Sequence, residues 1–108
     1  MSEMDTVKAV IEYITAMGGL ALRANSGAMK IENTQTGTTR LFRGMAAGTS
    51  DILACYKGRF LAIECKEPGN TTTQLQEDFL QRVANAEGIA MVAYSVDDVI
   101  KFITEVLP

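Results

Sequence analysis

Residues 51–66 read DILACYKGRFLAIECK, and this stretch decides the fold. Two apolar runs of strand-like composition flank Lys57-Gly58, a pair that suits a tight hairpin turn. A hairpin that turns there places Asp51 opposite Glu64. Because directly opposed residues of an antiparallel pair share a face, with Cβ atoms about 5 Å apart, the stretch predicts two neighbouring carboxylates at the open end of the hairpin.

Lys66 joins this predicted pair, since residues two apart on a strand point to the same face. Two opposed carboxylates repel each other unless a shared proton, the Lys66 ammonium or a divalent cation compensates. Carboxylate oxygens suit Mg²⁺ or Mn²⁺, ions that also take phosphate oxygens and water as ligands. A lysine beside such an ion can orient or deprotonate a metal-bound water. The alternative is a solvated Glu-x-Lys strand face with Asp51 as a turn residue.

The rest of the chain alternates helical and strand periodicity around this hairpin. Capping boxes at Thr73/Gln76 and Ser95/Asp98 indicate where the second and third helices begin. The predicted elements are a helix over 4–17, strands over 20–24, 51–56 and 59–66, a helix over 74–87, a strand over 89–94 and a helix from the Ser95 cap to 106.

This order, α-β-β-β-α-β-α, predicts one α/β domain over residues 1–108, with a mixed sheet flanked by helices. The helix over 74–87 links two apolar strands, so we expect a right-handed crossover between parallel strands. Residues 25–39 are polar and rich in turn formers, which predicts a loop or a weak hairpin. Residues 40–49 are expected to be an irregular lead-in.

The amino-acid composition limits the kinds of catalytic and metal sites that the chain can form. The chain has no histidine, which excludes Ser-His and Cys-His nucleophilic sites and argues against structural zinc. Cys55 and Cys65 lack metal-ligand spacing and are expected to be reduced thiols. Residues 1–5 show no signal-peptide pattern, and no apolar run reaches the roughly 20 residues of a membrane span. We therefore expect a cytoplasmic protein with no membrane partner.

Charge is unevenly distributed along the chain. The formal net charge is −3, yet residues 20–66 hold an excess of basic residues, and the acidic residues concentrate after Lys66. Ordinary surface variation is one explanation, and a nucleic-acid partner for the basic middle is the other. The first helix adds an acidic residue, because Glu3 lies in line with the apolar stripe of Val7, Val10 and Ile14. Glu3 could complete a metal site or be a frayed terminal residue.

Together, Gly48-Thr49-Ser50-Asp51 and Ile63-Glu64-Cys65-Lys66 resemble the signature of the PD-(D/E)XK nucleases. More narrowly, the chain resembles a small stand-alone VRR-NUC domain. Further matching pieces are Glu3, Arg23-Ala24-Asn25-Ser26-Gly27, Phe60-Leu61-Ala62, Pro68-Gly69, Thr73 with Gln76, and Gly88. The family usually has proline just before the aspartate, where this chain has Ser50.

The resemblance implies a restriction-endonuclease-like core and a metal-dependent DNA endonuclease. In such an enzyme, Mg²⁺ or Mn²⁺ would be held by Asp51, Glu64 and the backbone carbonyl of Cys65. Glu3 would be a further ligand, and Lys66 would position the attacking water. Gln76 matches a motif glutamine near the site, although its role as a helix cap is a sufficient structural reason for it. No small-molecule cofactor is implied.

Small members of the family are similar to Holliday-junction resolvases that act as homodimers on four-way junctions, many of them phage-encoded, in which case the location would be the host cytoplasm. The natural phosphate contacts would be the basic residues around the 25–39 segment, Arg23, Lys30, Arg40 and Arg43. Two alternatives stay open: a non-catalytic module that binds branched DNA, and a restriction-type enzyme with a defined recognition sequence. Nothing in so short a chain resembles a dedicated base-reading element.

Overall fold

The computed structural model describes residues 2–24, 28–43 and 45–107, with residues 28–33 and 38–43 described as backbone. Three helices and six strands follow one another along these residues. In chain order they are α1 (Glu3–Ala16), β1 (Leu20–Arg23), β2 (Ala28–Asn33), β3 (Thr38–Arg43), β4 (Ile52–Tyr56), β5 (Arg59–Cys65), α2 (Gln74–Asn85), β6 (Ile89–Ala93) and α3 (Val96–Val106).

The main sheet has four strands in the order β1-β4-β5-β6. The pairs β1–β4 and β4–β5 are antiparallel, and β5 and β6 are parallel. The hairpin has the predicted register, with Tyr56 opposite Arg59 and Leu53 opposite Ala62. The predicted mixed sheet, and the crossover between parallel strands through α2, are confirmed.

The β2–β3 hairpin is the main departure from the sequence prediction. Residues 40–43 were expected to be irregular, and they form the last four of the six residues of β3. These residues lie in the run TTRLFR, whose threonines and phenylalanine favour extended backbone and pair with AMKIEN of β2. The hairpin forms its own two-stranded sheet, and its backbone lies close to no other helix or strand that the structure describes. The predicted segment at Asn25 to Gly27 lies outside the described residues.

Two apolar layers enclose the main sheet. One face packs against α1 and α3 in a core built from residues such as Val10, Ile14, Ile63, Val99 and Ile103. The other face packs against α2 through Ala62, Leu80 and Val83. Residues 61–65 of β5 are consequently buried on both faces, which makes β5 the central strand of the domain.

Capping hydrogen bonds fix where the helices begin. Ser2 and Asp5 form a capping box at α1, so the helix begins at Glu3, one residue before the predicted start. The predicted box of Thr73 and Gln76 is confirmed at α2.

The second predicted box is wrong. Ser95 is the N-cap of α3, but its side chain makes no capping hydrogen bond. The Asp98 carboxylate accepts a hydrogen bond from the Tyr94 N–H at 2.8 Å instead. Across the described stretches, none of the helices combines the length and the hydropathy that crossing a membrane requires.

Candidate metal centre

Asp51 stands immediately before β4 and stays in contact with β5. Its Oδ2 accepts a hydrogen bond from the backbone N–H of Cys65 at 2.9 Å. Its own backbone carbonyl accepts a hydrogen bond from Ala24 N–H at 2.8 Å, which ties the residue to the end of β1. Asp51 therefore continues the hairpin register beyond the last paired residues, and its carboxylate lies beside Glu64.

Glu64 lies on the α2-facing side of β5 and is only 2 % exposed. Its pKa is raised from 4.5 to about 7, mainly by burial and next by the negative charge of Asp51, while the Lys66 charge opposes the shift. Its Oε2 is fully buried and has no hydrogen-bond partner among the described residues. A buried acceptor without a partner costs free energy, so this oxygen is a strong candidate for a ligand contact.

Cys65 faces the opposite layer. The pKa of its thiol is raised to about 12, mainly by burial and then by the charges of Asp51, Glu64 and Glu3 in that order. The thiol is therefore protonated at neutral pH and is a poor metal ligand. What Cys65 contributes at this end of the sheet is its backbone, through the N–H that holds Asp51.

The segment that leads into Asp51 is held by buried hydroxyl groups, whose role the sequence alone does not indicate. Thr49 Oγ1 donates to the Ala46 carbonyl at 2.7 Å. Ser50 is 1 % exposed, and its Oγ donates to the Ile52 carbonyl at 3.1 Å. Ser50 stands where the resembled family has proline, and its hydrogen bond restrains the backbone by different means. The available signal was the run Gly48-Thr49-Ser50, polar residues directly before a buried strand.

Gly48 also helps to hold the segment before Asp51, because it lets the backbone approach α2 closely. Its φ is +88°, a left-handed conformation that glycine adopts readily, and a side chain at this position would overlap the backbone carbonyl of Leu75. The close approach packs the segment before Asp51 against the first turn of α2. As a result, the loop, β4 and α2 meet at the open end of the hairpin.

Lys66 directly follows β5, and its backbone N–H donates to the Ala93 carbonyl at 3.0 Å. Its side chain is partly buried, and its charge lowers the pKa of Glu64, so the three residues predicted from the hairpin do come together. Gln76 lies in the first turn of α2, where its Oε1 accepts a hydrogen bond from Thr73 N–H at 2.9 Å. The capping role that its position predicts is therefore present.

Glu3 is the first residue of α1 and is partly buried. Its charge contributes to the raised pKa of Cys65. Within residues 2–24, 28–43 and 45–107, however, no group of three or more His, Cys, Asp or Glu side chains is arranged to hold a metal ion. Asp51 and Glu64 thus form a pair that Glu3 does not join as a third side chain.

The predicted phosphate-contacting residues divide between two places. Arg23 ends β1, is exposed and pairs with Ile52, so it lies at the same end of the sheet as the carboxylate pair but on the face that carries α1 and α3. Lys30 lies on β2, and Arg40 and Arg43 lie on β3. The side chains of these three residues are outside the described part of the structure.

The donor set fits a hard divalent cation. It consists of two adjacent carboxylates, one of which has a buried oxygen without a hydrogen-bond partner among the described residues. A cation would also offset the repulsion that raises the pKa of Glu64. The fold and this cluster define an α/β domain with a paired-carboxylate and lysine site at the end of its central hairpin.

A solved structure described as "VRR_NUC domain" has the same fold. The two chains superpose with a TM-score of 0.66 at 19% sequence identity, over 98% of this chain and 99% of that one. The restriction-endonuclease-like core expected from the sequence is therefore confirmed as a fold. No family model matches the chain, and the search among curated proteins finds no match.

Proposed function

We propose that this chain is a Mg²⁺-dependent DNA endonuclease that hydrolyses phosphodiester bonds at the Asp51, Glu64 and Lys66 cluster. The observation that carries the proposal is the buried, unpartnered Oε2 of Glu64 beside a second carboxylate. A protein of this size gains nothing in stability from such an arrangement, because both burial and charge repulsion oppose it. A buried carboxylate that costs free energy in the unliganded protein is typical of a functional site, where a ligand offsets that cost. The likeness to the fold of a VRR_NUC domain supports the same class of activity.

The residues that would hold the ion are Asp51, Glu64 and the backbone carbonyl of Cys65; Glu3, the further ligand that the family resemblance implies, is not grouped with these two carboxylates in the structure. Mn²⁺ would fit the same oxygen ligands. A bound ion supplies positive charge that stabilises the phosphate transition state and lowers the pKa of a water.

The chain's own residues prepare the site. The Cys65 N–H holds Asp51 Oδ2, so one carboxylate is oriented before any ligand arrives. Glu64 is desolvated by the α2 layer, so its ionised form gains strongly from a neighbouring positive charge. Lys66 carries an ammonium beside these two groups and would orient the attacking water or hold a proton taken from it. The Gln76 amide group, at the N-terminus of α2, would help to place the scissile phosphate.

The substrate we propose is branched DNA, in particular a four-way junction, cut by a homodimer to leave 5′-phosphate and 3′-hydroxyl ends. Two sites related by a two-fold axis suit a substrate with pseudo-two-fold symmetry. Arg23 lies at the same end of the sheet as the carboxylates, and the other three basic residues lie on the separate β2–β3 hairpin. Such contacts to phosphates would position DNA without reading its sequence.

The test is to incubate the purified protein with a four-way junction, a flap and a linear duplex, each with Mg²⁺ or with EDTA. We expect Mg²⁺-dependent cleavage with preference for the junction, and loss of cleavage in Asp51→Asn and Lys66→Ala. Cleavage in EDTA, or cleavage retained by both variants, would contradict the proposal. Junction binding without cleavage under any divalent ion would identify a non-catalytic module, an outcome that the net charge of −3 makes worth testing.

A further inference from the structure

Tyr94 directly follows β6, at the end of the main sheet that carries the carboxylate pair. β5 and β6 are parallel, and their last paired residues are Cys65 and Ala93. The hydrogen bond from the Lys66 N–H to the Ala93 carbonyl extends this register by one residue and places Tyr94 beside Lys66. Neighbouring strands are about 4.8 Å apart, so a nucleotide whose phosphate meets Lys66 can reach Tyr94 with its base.

The Tyr94 side chain is exposed and yet held in place. It is 41 % exposed. Among the aromatic residues whose side chains the structure describes, only Phe60 is exposed as well, and it lies near the hairpin turn at the opposite end of the sheet. The Tyr94 hydroxyl group donates a hydrogen bond to the Asn70 carbonyl at 3.4 Å, and its backbone N–H donates to the Asp98 carboxylate at 2.8 Å. A ring held at both ends loses little conformational freedom when a flat ligand packs on it.

The acceptor of the hydroxyl group belongs to a tight turn that follows β5. The Asn70 N–H donates to the Glu67 carbonyl at 3.0 Å. The two residues between them are Pro68 and Gly69, and Gly69 has a φ of +91°. Proline fixes the backbone at the first central position of such a turn, and glycine tolerates the positive φ at the second. This stiff turn keeps the hydroxyl end of Tyr94 near the end of β5.

The surroundings of the ring favour a nucleobase over a phosphate as its partner. The hydroxyl hydrogen is already donated to Asn70, so the face of the ring is the surface that remains for a ligand. Asp98, bonded to the Tyr94 N–H, and Glu67, at the start of the turn, place negative charge near the ring, which repels phosphate. An aromatic face stacks on any base, and an unpaired base is the one that offers its own face.

We propose that the Tyr94 ring stacks on an unpaired nucleobase at the branch point of the DNA, next to the phosphate held at Lys66. The inference rests on the proposed function and narrows its substrate to branched DNA with an unpaired base beside the scissile phosphate. Stacking tolerates every base, so this contact selects DNA structure without selecting sequence.

The first measurement is DNA binding with Ca²⁺ in place of Mg²⁺, by fluorescence anisotropy, which does not require cleavage. The probes are a four-way junction with a single unpaired nucleotide at its branch point and a linear duplex. Tyr94→Leu removes the ring and should raise the Kd for this junction about tenfold, with a change of less than about twofold for the duplex.

Tyr94→Phe is the matched control, because it loses the hydrogen bond to Asn70 and keeps the ring. Its Kd for the junction should stay within about twofold of that of the unaltered protein. Circular dichroism should show that both variants remain folded.

A second measurement uses the unaltered protein and places 2-aminopurine at the unpaired position of the junction. Stacking on an aromatic ring quenches this fluorescent base, so its emission should fall on binding. The emission should fall in the same way with Tyr94→Phe and should not fall with Tyr94→Leu.

Three outcomes would overturn the inference. Tyr94→Leu that binds and quenches the junction as the unaltered protein does would exclude the contact, and Mg²⁺-dependent cleavage by both proteins would leave the proposed activity standing. An equal loss of binding in Tyr94→Phe and Tyr94→Leu would make Tyr94 a support for the turn at Asn70. An equal loss on junction and duplex would exclude selection of an unpaired base. Ring-dependent binding by a protein that cleaves no DNA would support the contact and contradict the proposed activity.

Discussion

The protein contains two β-hairpins with opposite surroundings. β4–β5 lies inside the main sheet between layers of helices, and residues 61–65 are buried on both faces. β2–β3 pairs only with itself, and its backbone lies close to no other described element. The buried hairpin carries the carboxylates, and the isolated one carries three of the four basic residues predicted to meet phosphates.

The difference matches what each proposed task requires. Hydrolysis requires groups held to within a fraction of an ångström, which packing and second-layer hydrogen bonds provide. Contacts to phosphates tolerate looser placement, because they depend mainly on charge.

The largest effect should come from the buried hairpin. Asp51→Asn and Glu64→Gln remove one ligand charge each and should lower the cleavage rate by about a thousandfold, which corresponds to about 4 kcal/mol of transition-state stabilisation. Single-turnover cleavage of a four-way junction measures this, and a gel shift should show that both variants still bind the junction. Equal loss of binding and cleavage would mean that the carboxylates act only in binding.

Lys66→Ala should lower the cleavage rate by about a hundredfold, as expected for a group that handles one proton or orients one water. Lys101→Ala removes an exposed lysine from α3 and serves as the matched control, with activity near that of the unaltered protein. If the two variants lose activity to the same extent, Lys66 contributes general charge and has no specific role at the site.

Stability should depend on pH through Glu64. Its pKa is 4.5 in the unfolded reference and about 7 in the folded protein, so the folded state binds the proton more tightly. This contribution is fully present below pH 4.5 and is lost as pH rises through 7, by up to about 3 kcal/mol in the free energy of unfolding. Urea denaturation in EDTA should show this loss in the unaltered protein and its absence in Glu64→Gln. The same slope in both proteins would mean that Glu64 is not the titrating group.

Mg²⁺ should stabilise the unaltered protein and Glu64→Gln to different extents. At pH 8 the ion should raise the midpoint of thermal unfolding for the unaltered chain, since it binds the folded state, and should have little effect on Glu64→Gln. An equal shift in both would place the binding site away from the carboxylate pair.

The smallest effect on catalysis should come from the isolated hairpin. Replacing Lys30, Arg40 and Arg43 together by alanine should lower the salt dependence of junction binding by about three units of log K against log salt, one for each phosphate contact. Cleavage at saturating DNA should change by less than about twofold. A large drop in the rate at saturation would mean that this hairpin shapes the active site.

The sequence predicts the β4–β5 hairpin better than it predicts the β2–β3 hairpin. The turn at Lys57-Gly58 and the alternation of residues 51–66 set the register, and that register brings Asp51 towards Glu64. β3 was only half predicted, because its pairing with β2 overrides the irregular appearance of residues 40–43. The burial of Glu64 was not predictable from the hairpin either, since it depends on how closely α2 packs on the sheet. The anchoring role of the Thr49 and Ser50 hydroxyl groups was not predictable either, because it depends on where the fold places the Ala46 and Ile52 carbonyl groups.

The hydrogen bond from Cys65 to Asp51 has a consequence for how this chain can change. The donor is the main chain, so any residue at position 65 other than proline would supply it. The side chain at that position is selected by the opposite layer, where it fills space next to α1 and α3. The backbone and the side chain of Cys65 therefore have separate roles. Substitutions such as Cys65→Val or Cys65→Ala can change the packing of the core while the Asp51 carboxylate stays in place.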